Sequence, residues 1–316
     1  MALSVRPTGA FAPALLDGNH PRHNGLVNAT HDRQGGFAQR ALATSFDSQA
    51  AAYARLRPGY PAAAVDLAVP AGVLRVLDLG AGTGKLTGSV LDRAAAVLAV
   101  EPLPGMLAEL HQRYPAALAV AGAAEHIPLR DEVVDAIVVG QAFHWFETAS
   151  ALAEMARVLR PGGLLTLLWN HDDETNPLFR EIQDALGRAG RPAGGTTQRV
   201  AGLTGADVTS DEQAVDQIHA AAGQQPRGST NPPFVGHPSF TDPVLTEVRW
   251  HRSQSVDDLI GLLNTYSYVI RASDQVRDRL ATEVRAIVRS HHSAAGQPDG
   301  PVVIPSFCQI WRSTCR

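Results

Sequence analysis

A glycine-rich turn between two apolar runs constrains the fold of this chain more than any other feature. The first run, 73–77, leads into the letters DLGAGTG at 78–84, and the second run, 95–100, ends at Glu101. Glycines let backbone N–H groups approach a ligand closely. An acid about twenty residues after the turn falls at the tip of the neighbouring strand, where its carboxylate can accept hydrogen bonds from ribose hydroxyls. The pattern predicts a βαβ unit that binds an adenosine-containing cofactor.

The spacing of the turn separates three kinds of nucleotide site. A phosphate-binding P-loop requires a glycine where Leu79 stands and a hydroxyl where Leu86 stands. The dinucleotide fingerprint requires a third glycine where the chain has Lys85. What remains is Asp-x-Gly-x-Gly-x-Gly. Together with Glu101, it resembles motif I and the ribose-binding acid of the class I S-adenosylmethionine-dependent methyltransferases.

The resemblance continues in order along 73–170, about a third of the chain. The adenine-side segment after the third strand lies at 121–129 and the fourth strand at 133–139. A loop at 141–146 and a helix at 149–159 follow that strand. A turn with the letters RPGG at 160–163 then leads into the fifth strand at 164–169. Upstream, 46–61 resembles the N-terminal segment of small-molecule methyltransferases of the trans-aconitate and ubiquinone-biosynthesis type.

The alternation of strands and helices along 73–170 predicts a parallel sheet with right-handed crossovers. The resemblance implies an α/β, Rossmann-like, seven-stranded and mostly parallel sheet with helices on both faces and a C-terminal antiparallel hairpin. Further helices are expected at 175–189, 256–264 and 274–292, and the closing strands at 244–250 and 302–311.

The chain divides into five predicted segments. They are a disordered leader at 1–36, an N-terminal helical cap at 37–72, the cofactor-binding core at 73–170, a polar insertion at 191–236 and the closure of the sheet at 237–316. The insertion is rich in Gly, Gln, Pro, Thr and Ser and could hold a short helix at 211–222. It is interpreted either as a mobile lid or as an ordered cover over the substrate.

Composition restricts the partners and the compartment. A formal net charge of -4 gives no general attraction to nucleic acid or to an anionic membrane. No apolar run reaches the roughly 18 residues of a membrane helix, and the N-terminus lacks a secretory signal pattern. Cys308 and Cys315 are too few for a disulfide framework, so a cytoplasmic protein is expected. The twelve histidines show no metal-binding spacing, and no metal is predicted.

The resemblance assigns cofactor contacts to nine residues. The methionine and ribose side would be lined by Gly80, Gly82 and Gly84, with Asp78 near the amino group; Glu101 would take the ribose diol, Leu103 would pack on the adenine, Ala124 and Glu125 would flank the adenine edge, and Gln141 would lie near the sulfonium. Ala123 departs from the family, because many relatives have Asp or another polar residue there to accept from the adenine amino group.

The acceptor side is predicted from three segments. After the fourth strand, His144 is a candidate proton acceptor, with Phe143 and Trp145 as an apolar wall. The alternative is that these aromatic residues only pack the next helix onto the sheet. In the N-terminal segment, the candidates are Tyr53, Arg57 and Tyr60, and Arg57 could bind the methionine carboxylate or an acidic substrate. From the C-terminal part, Tyr266 and Tyr268 could also reach this site.

The leading hypothesis for function is methyl transfer from S-adenosylmethionine to a small molecule, at oxygen first, with carbon or nitrogen left open. In-line displacement requires positioning and shielding from water rather than an obligatory acid, base or metal. The alternatives are a non-catalytic adenosine-cofactor-binding protein and a dinucleotide-dependent oxidoreductase. The letters NPPF at 231–234 match the motif of amino-methylating enzymes, but they follow the fifth strand instead of the fourth and are interpreted as a coincidence.

Overall fold

The computed structural model describes most of the chain between the N-terminal helical cap and the C-terminus. The described residues are Leu16, 54–189, 234–270, 272–296 and 300–316. The predicted leader apart from Leu16, Tyr53, the NPP letters of the NPPF motif, and the predicted insertion up to residue 233 lie outside them.

The strands of the described part form one sheet of seven. They are β1 (Arg75–Leu79), β2 (Ala96–Glu101), β3 (Leu118–Ala121), β4 (Val134–Gly140), β5 (Leu159–Asp172), β6 (Val244–Gln254) and β7 (Val302–Thr314). Their order is β3-β2-β1-β4-β5-β7-β6. The first five pair in parallel, and β7 lies antiparallel to both β5 and β6. The predicted Rossmann-like sheet with its antiparallel closure is confirmed.

The helices cover both faces of this sheet. They are α1 (Ala62–Ala68), α2 (Lys85–Val90), α3 (Pro104–Arg113), α4 (Thr148–Val158), α5 (Pro177–Ala189), α6 (Val256–Leu263), α7 (Ser267–Ile270) and α8 (Asp274–Ala294). Side chains of α1 and α2 pack with Val76, Val97 and Val138. Side chains of α4 pack with the next residue along each of these strands or the one before it, such as Leu77, Leu98 and Ile137. Because successive strand residues point to opposite faces, the two sets lie on opposite sides of the sheet.

The central strands are buried on both faces, which explains their composition. All six residues of β4 before Gly140 are buried, and so are five of the six residues of β2. Strands covered by helices on both sides are near-continuous apolar runs instead of alternating ones. This composition is why their positions could be predicted from the sequence within one or two residues.

A separate apolar cluster packs against the start of β7, near the antiparallel side of the sheet. It joins α5, α6 and α8 to Val302 and Ile304 at the start of β7. Leu56 packs against Gly261 of α6, so the end of the N-terminal helical cap meets this helix. The cluster fixes α6 and the residues after it beside the carboxyl end of β5.

The start of β5 differs from the prediction. The strand was expected at 164 after an RPGG turn, but it begins at Leu159 and runs through those letters with a register shift opposite Val134 and Ala136. Gly162 has φ 76° and its N–H donates to the Cys315 carbonyl, while Cys315 N–H donates to the Gly163 carbonyl. The turn residues therefore stay in the sheet because the last residues of the chain supply their hydrogen-bond partners.

The chain order of the sheet reverses between β1 and β4. Strand β1 continues to β2 and β3 on one side, and the chain then returns to pair β4 with β1 on the other. The carboxyl ends of these parallel strands lie at one edge of the sheet, and ligands of open α/β sheets bind at such a reversal. The loops after β1, β2, β4 and β5 are therefore where a site is expected.

Candidate functional site

The loop after β1 is held against the end of β2 by its backbone. The N–H groups of Gly80 and Ala81 both donate to the Val100 carbonyl, at 2.9 and 3.1 Å. Gly80, Gly82 and Gly84 have positive φ angles of 69°, 57° and 84°. Alternate left-handed residues turn the chain tightly from β1 into α2, and residues with a side chain rarely adopt this conformation.

Glu101 connects this loop to the start of α3. One carboxylate oxygen accepts from the Gly82 N–H at 2.8 Å, and the other accepts from the Leu103 N–H at 2.9 Å. The residue is only 5% exposed. A carboxylate offers about four acceptor positions in total. The structure thus places three predicted cofactor residues in direct contact.

Among the three loop glycines, Gly82 alone borders open space. A Cβ added there would meet no atom of the described residues within 4 Å, apart from the adjoining residues of the loop. At Gly80 it would lie 2.7 Å from the Ala142 side chain, and at Gly84 it would lie 2.7 Å from the Tyr114 ring. The outer glycines are therefore required for packing, whereas the backbone at Gly82 leaves room for a ligand beside the Glu101 carboxylate.

Asp78 lies beneath the loop and is fully enclosed. Its carboxylate accepts from the Thr87 hydroxyl at 2.6 Å, and it is 1% exposed. Burial raises the pKa of Asp78 to about 7, and the negative charge of Glu101 adds to the effect, while hydrogen bonds from Thr87 oppose it. A cation placed beside Asp78 would stabilise its ionised form.

Gln141 joins the ends of β4 and β5. It has φ 58°, its N–H donates to the Leu168 carbonyl, and its side-chain amide donates to the Asn170 carbonyl at 2.9 Å. The Asn170 amide in turn donates to the Gly59 carbonyl at 2.9 Å. Tyr60 packs its ring against Gly140, the last residue of β4. The N-terminal segment is therefore anchored at the same edge of the sheet as the glycine loop.

The residues after Gln141 have different environments. Phe143 is 1% exposed and packs in the core, with ring centroids 5.7 Å from Phe146 and 6.3 Å from Phe234. Trp145 is 43% exposed, and its ring lies 4.8 Å from that of His144. His144 keeps an exposed surface, yet the protein around part of its ring desolvates it and lowers its pKa. Phe143 thus supports the loop from below, and His144 and Trp145 remain at the surface.

Ala124 and Glu125 make contacts within the protein. Ala124 is 4% exposed and belongs to the core on the α4 side. The Glu125 carboxylate accepts from the Glu147 N–H at 2.7 Å, and the Glu147 carboxylate accepts from Ala149 and Ser150 at the start of α4. These acids satisfy backbone donors that a helix leaves free at its N-terminus.

Arg57 and Tyr266, both singled out in the sequence, lie together. The Arg57 guanidinium is 4.9 Å from the centre of the Tyr266 ring, and it donates to the Thr265 carbonyl at 3.5 Å. A guanidinium over an aromatic face is stabilised by the ring quadrupole. The contact ties the N-terminal segment to the residues after α6. Tyr53 lies outside the described residues, and the side chain of Tyr268 is not among those described.

Sequence reasoning missed the polar residues at the end of β5. Asn170 bonds the N-terminal segment, and Asp172 pairs with Arg252 of β6. The only signal was a change from apolar to polar residues at the end of the strand, which occurs in many strands. Asp172 and Arg252 are 80 residues apart in sequence, so neither position indicates the other.

The described residues, whose ranges are given above, also bear on two other kinds of site, a metal centre and a membrane span. Within those ranges, no three His, Cys, Asp or Glu side chains are grouped as metal ligands would be. None of the helices that the structure describes is both long enough and apolar enough to cross a bilayer.

Comparison with known proteins gives consistent matches. Residues 77–167 match the family described as "Methyltransferase domain". An uncharacterized methyltransferase of Mycobacterium tuberculosis is 38% identical over 258 residues, which are 82% of this chain and 91% of that protein. A malonyl-[acyl-carrier protein] O-methyltransferase of Methylococcus capsulatus is 45% identical over 97 residues, 29% of this chain and 35% of that protein. A solved structure of a candidate type II methyltransferase from Anaeromyxobacter dehalogenans has 23% identity and a TM-score of 0.50, and the match covers 82% of this chain and 97% of that one.

Proposed function

This chain belongs to the class I S-adenosylmethionine-dependent methyltransferases, and from that premise we propose that it binds S-adenosylmethionine and methylates a small molecule at oxygen. The choice of oxygen is supported by the similarity to an O-methyltransferase over 97 residues. The formal net charge of -4 favours a small acceptor over a nucleic acid. The narrower resemblance to the trans-aconitate and ubiquinone-biosynthesis type stays a prediction.

The arrangement of Glu101 and Gly82 is the observation that carries this proposal. A buried carboxylate lies against a glycine whose backbone borders open space, at the reversal point of the sheet. A ribose placed there would donate both hydroxyls to Glu101 while its other side lies against the Gly82 backbone. Leu103 follows two residues later and is half-buried, in position to pack on the attached base.

Other residues along this edge would orient the reactants. S-Adenosylmethionine supplies a methyl group on a positively charged sulfur. Asp78, buried under the loop, would hold the ammonium group of the methionine part. Gln141 and Asn170 fix the backbone at the ends of β4 and β5, where the acceptor atom must lie in line with the methyl group. His144 would take a proton from an acceptor hydroxyl, since the lowered pKa of its ring favours the neutral form.

Calorimetry with S-adenosylhomocysteine and with NADH tests the cofactor assignment. We expect micromolar binding of S-adenosylhomocysteine and no binding of NADH. Tight NADH binding without S-adenosylhomocysteine binding would instead establish the dinucleotide alternative, which Lys85 at the third-glycine position disfavours.

Turnover needs a separate assay, because binding alone also fits a non-catalytic protein. We expect transfer of label from S-adenosylmethionine carrying a tritiated methyl group into the small-molecule fraction of a bacterial extract. The Glu101→Gln variant is the matched control, and it should lose the transfer. Cofactor binding with no labelled product in any extract fraction would support the non-catalytic alternative.

A further inference from the structure

A row of buried hydrogen-bond donors lies on one face of β6. Trp250 Nε1, Arg252 Nη1 and Gln254 Nε2 are each buried and, within the part of the chain that the structure describes, lack a hydrogen-bond partner. The three residues alternate along the strand, so their side chains leave the same face, about 7 Å apart from one to the next. A buried donor without a partner costs about 1–3 kcal/mol, which makes three in a row on one strand face a costly arrangement without a ligand.

Arg252 is at the centre of this donor row and is tightly held. It is 7% exposed, pairs through Nη2 with the Asp172 carboxylate and donates from Nε to the Ser306 hydroxyl at 3.3 Å. The Ser306 hydroxyl donates to the same Asp172 oxygen at 3.0 Å. These contacts fix the guanidinium plane and compensate its charge. They leave Nη1 buried and without a hydrogen-bond partner among the described residues.

The donor row faces the same region as the cofactor loop. Strands β5 and β6 run in the same direction because each is antiparallel to β7, so the ends at Asp172 and Gln254 share the edge where β1 and β4 end. Asp172 follows Asn170 by two residues on one face of β5. The Asn170 carbonyl accepts from Gln141. Strand β6 lies three strand spacings of about 4.8 Å from β4, or about 14 Å, a span that the Arg252 side chain and a small molecule can bridge together.

We propose that Trp250, Arg252 and Gln254 bind a carboxylate group of the acceptor, which would anchor the molecule while another of its atoms lies at the methyl position. This proposal rests on the proposed methyltransferase function and names a substrate class for it. The three free atoms are all donors, so the group that they bind must only accept. A carbonyl oxygen offers two acceptor positions, whereas a carboxylate offers about four. Trp250 and Gln254 each start about 7 Å from Arg252, a separation that long side chains can close to meet at one carboxylate.

Asp172 does not prevent a second carboxylate from binding. Its charge is already paired with Arg252 and hydrogen-bonded by Ser306. One guanidinium can serve two carboxylates because its five N–H groups point outwards in a fixed plane. The neutral donors of Trp250 and Gln254 supply the remaining hydrogen bonds without adding charge. The anchor thus selects for geometry as well as for charge.

Paired probes test the proposal with the full-length protein saturated with S-adenosylhomocysteine. The probes are benzoate, hexanoate and succinate, each compared with the corresponding amide, and affinity is measured by calorimetry. We expect at least one carboxylate to bind tenfold or more tightly than its amide. In a ¹H–¹⁵N spectrum, the same carboxylate should shift one of the four indole N–H signals, and that signal should be absent from Trp250→Phe.

Variants on the two faces of β6 provide the comparison. Gln254→Glu places a like charge beside the carboxylate, and Trp250→Phe removes the indole N–H while keeping an aromatic ring. Each should lower the carboxylate preference at least fivefold while S-adenosylhomocysteine affinity stays within twofold. Arg249→Gln is the matched control on the exposed face, where Arg249 pairs with Glu247, and it should change neither quantity.

Two results would overturn the proposal. One is the lack of a carboxylate preference for every probe pair, and the other is an unaltered preference in Gln254→Glu. The unchanged affinity for S-adenosylhomocysteine shows that the variants are folded. If S-adenosylhomocysteine itself fails to bind the wild-type protein, the proposed function fails, and carboxylate binding can still be measured on its own.

Discussion

Cofactor affinity should depend on pH through one buried carboxyl, Asp78. Its pKa is raised to about 7 because burial disfavours the ionised form. The cofactor product S-adenosylhomocysteine carries an ammonium group, which we place beside Asp78. A cation binds the ionised carboxylate better than the neutral acid, so below pH 7 binding must first remove a proton. Affinity should therefore rise with pH up to about 7 and then level off.

The pKa of about 7 for Asp78 sets the size of the effect on affinity. If only the ionised form binds, the apparent dissociation constant is multiplied by one plus the ratio of protonated to ionised Asp78. With a pKa of about 7, that factor is about 33 at pH 5.5 and about 2 at pH 7.0. Affinity should thus increase about sixteenfold between these values, or about 1.6 kcal/mol. The ligand ammonium, with a pKa of about 8, stays mostly charged over this range.

Calorimetry in buffers of different ionisation enthalpy measures the affinity and the released proton together. Wild-type protein should release close to one proton per ligand at pH 5.5. The Asp78→Asn variant keeps an acceptor for the Thr87 hydroxyl and should lose both the proton release and the pH dependence of affinity. An affinity that does not change from pH 5.5 to 7.0, or the same slope in Asp78→Asn, would refute the assigned role of Asp78.

Three further predictions separate binding from folding. Glu101→Gln should weaken S-adenosylhomocysteine by about 1.5–3 kcal/mol in calorimetry, because charge-assisted hydrogen bonds to the ribose are lost, and unchanged affinity would remove Glu101 from the site. Gly82→Val and Gly162→Val both force a side chain into positive φ, so each variant should lose about 2 kcal/mol of stability in urea unfolding. Only Gly82→Val should also abolish ligand binding. A Gly82→Val protein that still binds the ligand would contradict the loop assignment. Phe143→Ala should lose about 3–5 kcal/mol of stability, because it leaves a cavity in the core. Trp145→Ala should lose under about 1 kcal/mol of stability and should instead lower acceptor turnover. Equal losses of stability would show that both rings belong to the core.

The cofactor half of the fold was predictable because its signals are local. Strand β1, the glycine turn and Glu101 fall within thirty residues, and each depends on its own neighbours in sequence. Buried parallel strands must be apolar on both faces, which marks β2 and β4 equally well. Turn chemistry supplied the rest, since alternate glycines adopt positive φ where other residues cannot.

Local signals were less informative where distant partners decide the structure. The RPGG letters indicate a turn, yet Cys315 supplies backbone partners that keep Gly162 and Gly163 in the sheet. Likewise, the aromatic character of Phe143 could not distinguish a substrate wall from a core residue. The difference depends on Phe234, which approaches from 91 residues later. In both cases, a residue distant in the chain determines how the local pattern is used.

The acceptor side shows the same dependence more strongly. Its polar residues come from the end of β5, from β6 and from β7, and the contacts among Asp172, Arg252 and Ser306 join positions 54 to 134 residues apart. Because β6 lies at the outer edge of the sheet, it pairs with one neighbour only, and its side chains can change without disturbing the strands that carry the glycine loop. A fold arranged in this way can keep one cofactor site and vary the acceptor. For this reason, the donor row on β6 is where differences in substrate between related chains should first be sought.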